Sequence, residues 1–139
     1  MQARTKIEIS PAIVRRVSGL DDLARIFCPD NARHQRAFAV LWLSIKYSDM
    51  QFLPSCQDLP AQYQVSPRVI EIVRAKMKKL GHIRRISHYN PAFGHRSGWT
   101  FSPRFRQAIA SLSEILAASV HREAGKIAER KDRDALLYL

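Results

Sequence analysis

Between Ser66 and Gly81 the apolar residues Ile70, Val73, Met77 and Leu80 recur three or four positions apart, so a helix gathers them on one face. Arg68, Glu71, Ala75 and Lys78 share another. Ser66 has the side chain of an N-cap, Pro67 costs nothing at a first helical position, and Gly81 suits a left-handed stop. After Gly81 the period shortens. His82–Tyr89 reads as a strand, Asn90–Gly98 as a loop rich in turn formers, and Trp99–Phe101 as a second short strand. Upstream, Ser55-x-x-Asp58 is a capping-box-like start for a short helix ending near Gln62 to Gln64. Pro60 distorts that helix unless it falls in the first turn.

Nearer the N-terminus, Ser10-Pro11 predicts a short helix over Pro11–Val17, broken by Ser18-Gly19. A second follows over Leu20–Phe27 and is stopped by Cys28-Pro29. Asp30 is placed to cap a helix running to about Tyr47. Its main stripe is Phe38, Leu41, Trp42 and Ile45, but Ala39, Val40 and Leu43 make the other sides apolar too, as in a buried helix. Ser102-Pro103 opens a long helix on which Phe105, Ile109, Leu112, Leu116, Val120, Ala124 and Ile127 step by three or four, with Gly125 a weak interior point. A stripe of this length exceeds what a small domain covers. Its cover is either Val14, Val17, Leu23 and Ile26 of the N-terminal segments or a twin subunit, and the commonness of dimers favours a homodimer. The apolar end, Ala135–Leu139, supports the same interface.

Short helix, tight turn, basic helix and hairpin follow one another from Ser55 to Ser102. With its run VSPRVIEIVRAKMKKLGHIRRI, this stretch resembles the winged helix-turn-helix superfamily of DNA-binding domains, of bacterial transcriptional-regulator type. The resemblance implies an α+β, mostly α fold with a small antiparallel sheet and a long C-terminal helix. It makes the Asp30–Tyr47 segment the central first helix and Gln51–Pro54 a short third strand beside the hairpin. It sets the recognition helix Ser66–Leu80 in the major groove and the wing Asn90–Gly98 along the backbone or minor groove. Residues 1–29 are then an arm with short helices, 30–102 the winged domain and 103–139 the dimerisation element, forming one compact unit. Val69 and Ile72 depart from the pattern by widening the apolar arc of the recognition helix. Another segment, a partner subunit or thymine methyl groups must cover them.

With 139 residues, the chain holds one domain with a real core. Its charge changes the picture more. The net +11 divides into +2 over residues 1–67, +9 over 68–106 and zero over 107–139, and no acidic residue occurs between Ile72 and Ser113. Charge of one sign on one substructure attracts a polyanion, whereas a solvated surface would serve solubility alone. Because the excess coincides with the basic helix and hairpin, double-stranded DNA is the expected partner. A replication-initiation or mobile-element DNA-binding role, or a winged-helix protein–protein adaptor, stays open. Cys28 and Cys56 lack a paired spacing and fit a reduced, cytoplasmic setting as small buried groups. The longest apolar run, Ala37–Leu43, is too short to span a membrane, and no signal core begins the chain.

Individual roles follow from chemistry. Arg68, in the first turn, can meet guanine O6 and N7 with two hydrogen bonds. Glu71 can accept from cytosine N4 or orient Arg68. Ser66 and the amides around it suit a phosphate, and Gln64 the backbone. Arg74, Lys78, Lys79 and Arg84 read as phosphate contacts or solvated charges, and His95 and Arg96 mark the wing. The dimer interface is expected at Phe105, Ile109, Leu112, Leu116 and Val120. His34, His82, His88, His95 and His121 show no HxxxH or paired-cysteine spacing, so no metal is expected. There is no glycine-rich phosphate loop and no nucleophile elbow, hence neither a cofactor nor an enzyme is expected. A small-molecule effector has no marked pocket.

Overall fold

The computed structural model describes residues 5–91, 94–121 and 135–137, excepting the side chains of 88, 90 and 95. The chain divides into two compact units, Met1–Phe105 and Arg106–Leu139. The fold is α+β and mostly helical, with a two-stranded antiparallel sheet. No helix among the described residues is long and apolar enough to cross a membrane.

Helix α1 (Pro11–Arg15) starts where the Ser10 hydroxyl accepts from the Ile13 amide at 3.2 Å. Helix α2 (Leu20–Phe27) has Gly19 at its N-cap, so Asp22 takes over the capping. Its carboxylate reaches back to the Ser18 amide and hydroxyl at 3.0 and 3.1 Å, which holds its pKa below the ordinary value. Helix α3 (Ala32–Lys46) is capped by Asn31 rather than Asp30. Asp30 turns the chain with φ of 60°, whereas Asn31 is extended and accepts from the His34 amide at 3.1 Å. The apolar ring expected around α3 is not wholly buried: Phe38, Leu41 and Ile45 are, but Leu43 is exposed.

Around α3 gathers the core of the first unit. Ala24, Ile26 and Phe27 of α2 meet Ala37, Phe38, Leu41 and Ile45 there, and helix α5 (Pro67–Leu80) adds Ile70, Val73 and Met77. Each such large side chain, once buried, stabilises the fold by about 1.5–3 kcal/mol. The N-terminal helices thus share one core with the segments that follow. Between α3 and α5 lie a 3-10 turn, Asp49–Gln51, and helix α4 (Leu59–Tyr63). Pro60 falls in the first turn of α4 and costs no hydrogen bond. Ser55 makes no capping box: its hydroxyl accepts from the Gln57 amide at 3.0 Å, a local turn. Gln64 ends α4 in the left-handed region, with φ of 54°.

Gly81 ends α5 as its spacing predicts, with φ of 92° and its amide on the Met77 and Lys78 carbonyls. The hairpin departs from expectation. Strands β1 (Ile83–Asn90) and β2 (Gly94–Phe101) pair in register from Ile83↔Phe101 to Asn90↔Gly94, so most of the expected loop is strand. Gly94, with φ of 74°, supplies the left-handed residue that a short hairpin connection needs. Gly98, read as a loop residue, lies within β2, and an added Cβ there would come 2.5 Å from the Leu53 carbonyl oxygen and 2.6 Å from the Phe52 ring. The expected third strand shrinks to one antiparallel bridge, Leu53↔Trp99, with N–O distances of 2.8 and 2.9 Å. The preceding 3-10 turn and the following Pro54 leave no room for more. Helix α6 (Arg104–Val120) begins where the Ser102 hydroxyl accepts from the Arg104 amide at 3.3 Å. The sequence-stripe positions Ala124, Gly125 and Ile127 lie outside the described residues, as do Tyr138 and Leu139.

Candidate nucleic-acid interface

Helix α5 has two unlike sides because Ile70, Val73 and Met77 tie it to the core. Arg68, Glu71, Ala75, Lys78 and Lys79 are exposed, and helical spacing sets them in one arc of roughly 100°. Val69 and Ile72 lie half-buried along one edge of this arc, and Val69 packs on the core. Their apolar surface is therefore partly covered within the chain. Among the described residues, no carboxylate lies within ion-pair distance of Arg68, Lys78 or Lys79.

Two of the charges on α5 face elsewhere. The guanidinium of Arg74 stacks over the Trp99 ring, 5.1 Å from its centroid. Arg74 thereby joins α5 to the base of the hairpin. Lys76 is buried, its ammonium donating to the Lys6 carbonyl at 2.6 Å, and this burial lowers its pKa. The positive surface of α5 is narrower than its composition implies.

The turn before α5 contributes Gln64 and Ser66, both exposed. Ser66 occupies the N-cap position, but its hydroxyl makes no cap hydrogen bond, contrary to expectation. Pro67 restrains the residue before it to an extended backbone, so the ring fixes the entry into the helix instead. The Ser66 carbonyl accepts from the Ile70 amide at 3.1 Å.

On the hairpin, Arg84 and Arg96 are exposed, at register positions opposite Thr100 and His88. Arg85 is exposed too and donates to the Ser97 hydroxyl at 3.3 Å. The His95 side chain lies outside the described residues.

Sequence reasoning missed Arg33 and Arg36. They lie three apart in the amino-terminal half of α3 and line a cleft of about 260 Å³ with Gln64, Val65, Ser66 and Val69. Arg36 Nη2 donates to the Tyr63 carbonyl at 2.8 Å. The signal was present as two arginines on the polar side of α3, but only the tertiary fold brings that side against the α4–α5 turn.

Of the expected dimer residues, Phe105 packs in the first unit, its ring 5.1 Å from Phe27 and 4.6 Å from His82. Ile109, Leu112, Leu116 and Val120 are exposed on α6, as is Ile115, which the stripe omitted. Among the described residues, no group of three or more His, Cys, Asp or Glu side chains could hold a metal ion. Cys28 and Cys56 are unpaired and buried, and burial pushes both thiols up. Comparison with protein-family models, curated proteins and solved structures returned no significant match.

Proposed function

We propose that the protein is a sequence-specific double-stranded DNA-binding protein of winged helix-turn-helix type, acting in the cytoplasm as a transcriptional regulator. The observation that carries this reading is the exposed arc of α5, where Arg68, Lys78 and Lys79 have no carboxylate partner among the described residues, beside a hairpin bearing Arg84 and Arg96. An α-helix fits the major groove, and its first-turn arginine is the side chain best matched to guanine. The hairpin, as a wing, follows the phosphate backbone with its arginines. The exposed apolar side chains of α6 suit a second copy of the chain, and a two-fold dimer reads a two-fold site.

Arg68→Ala and Lys78→Ala test the assignment. The first is expected to weaken binding to the selected site by about 1–3 kcal/mol and relax its preference at one base pair. The second is expected to weaken all sequences alike and reduce the salt slope by about 1. Arg74→Ala is the contrast, because it removes a stacking contact worth about 0.5–2 kcal/mol and so lowers the unfolding midpoint. If the Arg68 and Lys78 variants bind DNA like the parent at every salt concentration, α5 is not the recognition helix.

A further inference from the structure

The cleft between α3 and the α4–α5 turn has the donors of an oxyanion site and no acceptor charge. Its polar lining is Arg33, Arg36, Gln64 and Ser66, with Val65 and Val69 completing the wall. Among the described residues, no carboxylate lines it. Arg36 is aimed by its bond to the Tyr63 carbonyl, which occupies Nη2 and leaves its other donors for a ligand. Arg33 lies in the first turn of α3, where the helix macrodipole disfavours a cation, and that turn holds no acidic residue to offset it. Packing and helix stability thus give no reason for an arginine there. A volume of about 260 Å³ is small for a drug-sized ligand, which takes about 300–1,000 Å³. It suits a single phosphate group held by two guanidinium forks.

We infer that Arg33 and Arg36 form a clamp for one phosphodiester group, which sets the register of α5 on a duplex. The inference rests on the DNA-binding reading, since the cleft adjoins the amino end of α5. It adds an anchor on α3 to the residues of α5 and the hairpin. With a backbone phosphate held at this point, Arg68 enters the groove at a fixed depth.

The test compares the full chain with Arg33→Ala, Arg36→Ala and the double variant in titrations of random-sequence duplex across salt concentrations. Each phosphate contact contributes about −0.9 to the slope of log K against log salt. One shared phosphate predicts that the double variant loses about 0.9 from the slope, and that the single losses do not add. A loss near 1.8 would mean two separate phosphates and overturn the shared clamp. An unchanged slope in a protein that still binds duplex would overturn the clamp and leave the DNA-binding reading standing. Arg33→Ala removes no hydrogen bond within the described structure, so it keeps the test valid if Arg36→Ala unfolds.

A parallel titration with inorganic phosphate, followed at the arginine Nε–H resonances, separates the two sources of the ligand. Shifts at Arg33 and Arg36 larger than at Arg15 and Arg25, in a chain that binds no DNA, would keep the site and assign it to a small phosphorylated molecule. No such shifts and no DNA binding would overturn the clamp and the reading together.

Discussion

The imidazole of His82 is buried, with ring centroids of Phe27 at 4.2 Å, Phe105 at 4.6 Å, Trp42 at 5.9 Å and Phe38 at 6.0 Å. Its Nε2 has no hydrogen-bond partner among the described residues. Burial lowers its pKa from 6.5 to about 4, because the charged form loses its hydration. In the folded protein His82 is therefore neutral above about pH 4, while in the unfolded chain it takes a proton below 6.5. Stability is fully present above pH 6.5 and is lost as pH falls toward 4, by up to about 1.4 kcal/mol per unit. Urea unfolding of the parent and of His82→Phe between pH 7.5 and 4.5 checks this. The parent should lose stability more steeply on acidification, whereas parallel curves would show that His82 is not the acid-sensitive group. Phe also removes the unpaired nitrogen, whose burial costs about 1–3 kcal/mol, so the variant is expected to match or exceed the parent at neutral pH. Nothing in the sequence singled out His82, since its cage draws on α2, α3 and the start of α6.

At the scale of elements, legibility followed how local the determining forces are. The ends of α2 and α5 were readable because Cys28-Pro29, Pro67 and Gly81 act on their own backbone, and the buried face of α5 was readable from its period. The hairpin was misjudged because turn-forming composition hid a ladder that depends on a partner strand. Gly98 is the clearest case. It marks close packing in β2 by Phe52 and Leu53, from a segment over forty residues earlier, rather than a bend. Gly98→Ala should destabilise the protein by about 1–3 kcal/mol, because the added Cβ meets a backbone oxygen that cannot simply rotate away. A thermal midpoint equal to the parent's would refute that packing. The same non-local logic explains Arg74 and Lys76. Their charge was visible, but the Trp99 ring and the Lys6 carbonyl that draw them inward were not.

For the whole molecule, the net +11 acts through its placement. Composition located the excess in residues 68–106, and the fold then sorts it. Lys76 is buried and Arg74 stacked, while Arg68, Lys78, Lys79, Arg84, Arg85, Arg96, Arg104 and Arg106 remain on the surface. Arg33 and Arg36 join the turn before α5 from a part of the chain whose own balance is nearly neutral. That meeting of α3 arginines with the α4–α5 turn is a property of the tertiary structure, and the proposed polyanion partner would bind there. Titration of the full chain against random-sequence duplex DNA at several salt concentrations tests that claim most directly. The account predicts dissociation constants of about 10⁻⁴ to 10⁻⁶ M at physiological salt and a steep negative log–log salt slope. No binding even at low salt would contradict it, and the exposed basic surface would then have to serve a partner other than nucleic acid.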